Sequence, residues 1–244
     1  LLPAMSEAEA MASASLHSIA EGRFDPRHWG QRPFRSPHHS SSARALTGGG
    51  SRPRPGEISL AHEGVLFLDE LPEFPREALE ALREPLETAE ISVSRVNARL
   101  RFPARFQLVA AMNPCPCGYH GEIDPACRCT PGQIRQYHNR ISGPLLDRID
   151  LQINVPRLTA SELDDARAGE PSRTVARRTQ AARERQRQRD GLCASQLPVG
   201  VLRRQHPLDT AGQALMRQAS QRFSLSARGW HRCWRIARTT IWRR

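Results

Sequence analysis

The chain carries two adjacent carboxylates, Asp69 and Glu70, directly after the apolar run 65–68. Such a run predicts a buried strand, and open α/β sheets place their ligands at the carboxyl ends of their strands. Nucleotide hydrolases use one carboxylate to hold Mg²⁺ through its water shell and a second to orient the attacking water. The pair therefore predicts a nucleotide-hydrolase site, with Asp69 as the metal carboxylate and Glu70 as the base. The alternative is a strand end with two solvated acids.

Two further residues could complete this chemistry. Asn113 follows a second apolar run, 106–112, and could sense the γ-phosphate beside the acids. Arg148 stands near two aspartates and could stabilise transition-state charge in a neighbouring subunit. The alternatives are a local turn of Asn113 before Pro114 and a surface ion pair of Arg148 with a flanking aspartate.

One part of a nucleotide site is missing from the sequence. All 36 basic residues are arginines, so the phosphate-binding loop G-x-x-x-x-G-K-[ST] cannot be present without its lysine. We expect the isolated chain to hydrolyse little or no ATP, and we interpret it as a fragment or as a decayed or frame-shifted product.

Four of the six cysteines lie within one 15-residue window, as the pairs Cys115/Cys117 and Cys127/Cys129. The start of the chain does not resemble a secretory signal, which favours a metal site over disulfides. The intervening loop is long enough for four sulfurs to converge tetrahedrally, so the pattern predicts a structural Zn²⁺ site. Reduced cysteines without a ligand are the alternative.

Charge is unevenly distributed along the 244 residues, whose formal net charge is +11. Residues 1–150 carry 17 Arg and 18 acidic residues, whereas residues 151–244 carry 19 Arg and 7 acidic residues. This asymmetry is compatible with contact to nucleic-acid phosphates. The arginine run 177–189 is typical of a solvated helix face, with direct DNA binding as the alternative. No apolar run approaches the length of a membrane span, so we expect a cytoplasmic protein without membrane contact.

Strands alternate with helices in the first 155 residues, and helices alone follow, which predicts an α/β core with a helical subdomain. Residues 30–56 are rich in Gly, Pro and Ser and are expected to be mostly loop. The predicted strands are 64–69, 106–112 and 151–155, with a β-hairpin formed by 90–96 and 98–102. The predicted helices are 6–20, 75–87, 208–222 and 226–240, a short helix or turn at 142–150, and a helix over 159–190 that is broken near 169–171.

These motifs occur in longer stretches that resemble one family, the magnesium-chelatase-related AAA+ proteins, and within it the YifB/ComM group of bacterial competence proteins. The resemblance covers most of residues 1–155. The stretches that carry it are 32–39, 48–50, 55–62, 64–74, 110–118 and 142–150.

The resemblance implies an AAA+ P-loop-type parallel sheet over residues 1–156, lacking its Walker A segment, and a helical lid over 157–244. It implies a homo-hexameric ATPase that uses ATP and Mg²⁺ to remodel DNA, single-stranded or branched, as a helicase or branch-migration motor in natural transformation. Arg228, within 225–232, would be a phosphate-sensing residue of the lid. The ring pore would be lined by an insertion at about 34–60 and by a hairpin at about 90–103, whose arginines would grip DNA phosphates: Arg95, Arg99 and Arg101.

Two other functions are weighed against this one. The first is a non-enzymatic, zinc-stabilised module for DNA binding or assembly, which uses the hairpin, the cysteine cluster and the basic C-terminal part. The second is a magnesium chelatase subunit that inserts metal into a porphyrin, although no residue of the sequence indicates a porphyrin partner.

Overall fold

The computed structural model describes residues 1–94, 99–121, 126–158, 160–164, 169–193, 196–205 and 207–240. Two compact units divide the chain, Leu2–Ile149 and Asp150–Arg244. The first combines a parallel sheet with helices, and the second is helical in its described part. The predicted α/β class, a P-loop-type AAA+ core followed by a helical region, is confirmed.

The N-terminal unit contains seven described helices and seven described strands. The helices are α1 (Glu7–Glu21), α2 (Ala43–Thr47), α3 (Glu57–Leu60), α4 (Arg76–Glu80), α5 (Arg83–Thr88), α6 (Pro131–His138) and α7 (Gly143–Leu146). The strands are β1 (Phe34–Arg35), β2 (Gly48–Gly49), β3 (Arg54–Pro55), β4 (Val65–Leu68), β5 (Glu90–Ser94), β6 (Arg99–Pro103) and β7 (Gln107–Ala110). Short 3₁₀ turns lie at Pro26–His28 and Leu71–Glu73.

The central sheet has the order β1–β4–β7, and both strand pairs are parallel. Strand β4 is apolar throughout because it lies between two neighbouring strands, and Leu66 and Leu68 are fully buried in the core. The chain enters β4 at Gly64, where the backbone of Pro33 passes so closely that a Cβ atom would overlap its carbonyl oxygen. The sheet therefore holds β4 centrally and aligns its carboxyl end with that of β7.

Local sequence signals account for several helix boundaries. Ser6 and Glu9 form a capping box that begins α1, and Gly22 in a left-handed conformation ends it. The predicted helix over 75–87 is divided into α4 and α5. Pro85 has no N–H to donate to the carbonyl four residues earlier, so a continuous helix lacks a hydrogen bond at this point.

The predicted hairpin is confirmed as the antiparallel pair β5 and β6, with Ile91 opposite Phe102. Both of these side chains are buried and join the core of the N-terminal unit. The hairpin turn, including Arg95, lies outside the described residues. Arg101 is exposed on β6, 3.7 Å from Glu90 of the paired strand.

The C-terminal unit consists of helices α8 (Ala160–Asp164), α9 (Ser172–Asp190), α10 (Val199–Gln205), α11 (Thr210–Phe223) and α12 (Ala227–Thr240). The predicted break between α8 and α9 and the two last helices are confirmed, whereas α10 was not predicted. Helices α10, α11 and α12 pack around Leu202, Leu208, Met216 and Trp234. In the described part of the chain, no helix has the length and apolar character needed to cross a bilayer.

The predicted strand at 151–155 is wrong. These residues form no sheet pairing in the described structure, and Ile153 and Val155 are 80% and 87% exposed. Alternating apolar residues give a segment a strand-like face, but a strand also needs a partner for its backbone groups. None of the described strands pairs with this segment.

Candidate nucleotide and metal site

The acidic pair and the asparagine lie at the same edge of the central sheet. The register pairs Leu68 with Ala110, so Asp69 follows the end of β4 and Asn113 follows the end of β7. The two strand ends are tied by hydrogen bonds from Ala111 N–H to Leu68 O and from Leu71 N–H to Ala111 O, both 3.0 Å long. The spatial expectation that these side chains meet at one sheet edge agrees with this topology.

The acidic pair occupies a turn that presents both carboxylates to solvent. Asp69 accepts a hydrogen bond from the Glu70 N–H at 2.9 Å, and both side chains are exposed. Glu70 has φ 53°, a left-handed conformation that costs a non-glycine residue about 1 kcal/mol or more. The geometry suits a hydrated Mg²⁺, which needs accessible carboxylate oxygens and keeps several of its waters.

A histidine that was not predicted as a site residue contacts the carboxylate of Glu70. His39 Nδ1 lies 2.8 Å from Glu70 Oε2, and the rings of His38 and His39 are 4.1 Å apart. His39 belongs to the loop before α2. The contact restrains the Glu70 side chain on the rim of the site.

A second unassigned residue, Tyr137 at the end of α6, lies beside Asn113. Tyr137 is buried, and desolvation followed by the charge of Glu73 raises the pKa of its phenol. The Asn113 backbone N–H acts on the phenol oxygen in the opposite direction. Two residues beyond α6, Arg140 donates to Glu73 Oε2 at 2.6 Å. Helix α6 therefore borders the loops that carry both the asparagine and the acidic pair.

The four predicted cysteines converge. Their sulfur atoms all lie within 4.8 Å of one another. The separations are 3.4 Å for Cys115–Cys117, 3.7 Å for Cys115–Cys127 and 3.6 Å for Cys117–Cys127. Such a cluster could hold a metal ion, since four thiolates form the tetrahedral set of structural metal sites. Cys115 is fully buried, and the other three are partly exposed.

The ionisation of the cluster is uneven. The Tyr119 backbone N–H, helped by that of Arg128, lowers the pKa of Cys117 to about 6. Desolvation, followed by the interaction with the Cys117 sulfur, raises the pKa of Cys129 to about 12. One thiolate therefore forms readily, and it disfavours a second negative charge nearby. A bound cation would remove that penalty, as thiolate ligation requires.

Arg148 is held within its own chain. Its side chain is 7% exposed, and its guanidinium contacts Glu87 Oε1 at 2.7 Å and the carbonyl of Pro144. Among the described ion pairs, Arg148 contacts Glu87 and neither of the two flanking aspartates. Action on a neighbouring subunit requires release from Glu87, so that role stays a prediction.

The remaining predicted residues lie away from the acidic turn in sequence and are located as follows. Arg228 is exposed in the first turn of α12, where the Ser226 hydroxyl accepts from the Gly229 N–H. Arg99 begins β6, and Arg101 follows on the same strand. The roles of these arginines stay predictions.

Comparisons with known proteins agree with this architecture. Residues 1–163 match the family model described as magnesium chelatase, subunit ChlI. Residues 169–241 match the model for the C-terminal part of the same subunit.

The chain is also similar to curated bacterial proteins. It is 47% identical over 240 residues to the Haemophilus influenzae protein named competence protein ComM, an alignment that covers 98% of this chain and 47% of that protein. It is 48% identical over 241 residues to the Escherichia coli protein YifB, which is described as uncharacterised, with 98% and 47% covered. A third relative, an uncharacterised protein of Mycobacterium tuberculosis, is 42% identical over 245 residues, with 97% and 48% covered. The chain thus spans about half the length of the curated relatives it matches.

Proposed function

Because the chain belongs to the magnesium chelatase subunit ChlI family, we propose that it supplies the hydrolytic acids, the phosphate sensor and the lid of an AAA+ ATPase of the ComM/YifB type. One observation carries the proposal: the adjacent parallel strands β4 and β7 end in Asp69-Glu70 and in the Asn113 loop. Carboxylates and an amide at one sheet edge are the groups that phosphoryl transfer to water requires.

Each residue at this edge has a distinct role. Asp69 binds the water shell of Mg²⁺, and the ion, when bound with ATP, neutralises charge on the phosphate oxygens. Glu70 orients the attacking water and accepts its proton, while His39 fixes the direction of the Glu70 carboxylate. Asn113 donates its side-chain amide to the γ-phosphate. Without a phosphate-binding loop, the isolated chain hydrolyses little or no ATP.

Two arginines act from outside the acidic turn. Arg148 leaves Glu87 when a second subunit approaches and stabilises the transition-state charge in that subunit's site. Arg228 contacts phosphate from the helical lid. Both roles require a complete ring, so we propose that the intact protein works as a homo-hexamer.

The ATPase proposal is tested in a chimaera. This chain replaces the matching 240-residue segment of the H. influenzae relative, and Mg²⁺-dependent ATP hydrolysis is measured. We expect the Glu70→Gln chimaera to lose about a hundredfold or more in kcat, because general-base catalysis contributes about 10²–10⁴-fold. Glu77→Gln, at an exposed position of α4, is the matched control and should leave kcat unchanged. Equal rates for the chimaera and its Glu70→Gln variant would overturn the proposal.

DNA is the proposed macromolecular partner. Arg101 is exposed on the hairpin, where it can approach a phosphate without reading a base. Arg95 and Arg99 complete the proposed contact. The H. influenzae relative is named a competence protein, which supports a partner of this class.

Zinc is the proposed ion of the cysteine cluster. Four thiolates leave no open coordination position, so the ion is structural and takes no part in hydrolysis. The same cluster supports the second candidate function, a non-enzymatic module that binds DNA or assembles with other chains. DNA binding by the isolated chain without ATP, together with an inactive chimaera, would favour this second function.

A further inference from the structure

We propose that the four-cysteine metal centre (Cys115, Cys117, Cys127 and Cys129) positions Asn113, so that sensing of the γ-phosphate depends on the structural metal. This inference rests on the proposed function, which assigns zinc to the cluster and the sensor role to Asn113. It adds that the two sites are mechanically coupled through helix α6. Three contacts support it.

The metal centre fastens the segment between β7 and α6 at both of its ends. Cys115 follows Asn113 by two residues and is fully buried. Cys129 immediately precedes Thr130, the N-cap of α6, whose hydroxyl accepts from the Gln133 N–H in a capping box. An ion that binds both cysteines therefore holds the start of α6 close to the Asn113 loop.

The far end of α6 returns to that same loop. His138 donates its Nε2–H to the Pro114 carbonyl at 2.9 Å, and the carbonyl fixes this tautomer because it can only accept. Tyr137 is buried, and although desolvation raises the pKa of its phenol, the Asn113 backbone N–H acts to lower that pKa. The loop is thus held by the metal centre on one side of Pro114 and by α6 on the other.

A third contact connects α6 to the acidic turn. Arg140 donates to Glu73 Oε2 at 2.6 Å and to the Pro72 carbonyl at 3.3 Å, three and two residues beyond Glu70. A displacement of α6 would therefore move both walls of the candidate site. Without the ion, the cysteines have only weak S–H donors to hold the two ends together, so α6 and the Asn113 loop separate more readily.

Hydrogen exchange measured by mass spectrometry tests the coupling in the 244-residue chain. The protein is compared after treatment with a chelator and after addition of one equivalent of Zn²⁺, and bound zinc is counted by elemental analysis. We expect one zinc per chain. We also expect about tenfold slower exchange in the zinc-bound protein at the Asn113 backbone amide and at the backbone amides of α6, because a single hydrogen bond contributes about this factor. Cys233→Ser, a cysteine outside the cluster, should behave like the unmodified chain.

The variant Tyr137→Phe separates coupling from metal binding. It removes the phenol oxygen but no sulfur, so zinc should still bind at one equivalent while the Asn113 amide loses its zinc-dependent protection. Protection by zinc that is confined to residues 115–129 would overturn the positioning role and leave the zinc assignment intact. Absence of zinc binding would overturn both, and neither result depends on the ATPase outcome of the chimaera.

Discussion

The side chain of Arg32 is 7% exposed, and it ties together parts of the chain that are distant in sequence. Its guanidinium binds the carboxylate of Glu9 at 2.8 Å and the carbonyl oxygens of Pro3 and Glu63 at 2.6 Å each. Glu9 and Glu63 are themselves buried. Arg32 belongs to one of the stretches that carry the family resemblance, and its contacts indicate that it stabilises the fold.

We expect Arg32→Ala to lower the free energy of unfolding by about 3 kcal/mol, because it breaks the buried ion pair with Glu9. Urea denaturation followed by tryptophan fluorescence measures the change. The matched control is Arg27→Ala, whose ion pair with Asp25 is on the surface, with the Arg27 side chain 87% exposed. The control should change stability by less than about 1 kcal/mol. A small effect of Arg32→Ala would mean that Glu9 finds water or another donor.

Residue-level prediction from sequence is most direct where a polar residue stands at the end of an element, although the roles of these residues stay predictions. Asp69 and Asn113 were predicted to meet because each follows an apolar run, and parallel neighbours bring such ends together. His39 and Tyr137 were missed. His39 lies in a loop without hydrophobic periodicity, and Tyr137 has the pattern of an ordinary core aromatic. Their contacts depend on tertiary packing, which the local sequence does not indicate. The pair His38-His39 in the sequence was the available signal for the first.

Element boundaries show which sequence signals are sufficient. The sequence located α1, β4 and β7 to within a few residues, because apolar runs and helix-forming residues are local signals. The segment 151–155 has the alternation of a strand but no pairing in the described structure. Periodicity reports which face of a segment is apolar, whereas pairing also depends on a partner strand.

Gly64, the residue before β4, tests how tightly the start of this strand is packed against the Pro33 backbone. We expect Gly64→Ala to destabilise the N-terminal unit by about 2 kcal/mol, because the new methyl group must displace the Pro33 backbone, which accepts the Val65 N–H at 2.9 Å. Gly143→Ala is the control, since nothing lies within 4 Å of the position of its Cβ. Thermal unfolding of the two variants provides the comparison. Equal melting temperatures of the two variants would show that the Pro33 backbone can move to accommodate the methyl group at little cost in stability.

At the scale of the whole molecule, charge and fold are divided in the same way. The residues up to 150 contain nearly equal numbers of arginines and acids, whereas the helical remainder contains 19 Arg and 7 acidic residues. A positive net charge raises the affinity of a protein for any polyanion, so an excess of arginines by itself does not identify a DNA-binding surface. A specific DNA-binding surface is identified only when the loss of one arginine weakens DNA binding more than the loss of another arginine elsewhere.

The salt dependence of DNA binding makes this distinction. We expect the affinity of the chain for DNA to fall linearly on a plot of log K against log salt concentration, and Arg101→Ser to reduce the slope by about 0.9 on duplex DNA, the contribution of one neutralised phosphate. Arg76→Ser removes the same charge from an exposed position of α4 and should leave the slope unchanged. Fluorescence anisotropy with labelled DNA at several salt concentrations measures both slopes. Equal reductions for the two variants would mean that diffuse charge, and not the hairpin, holds the DNA, because position would then have no influence on counterion release.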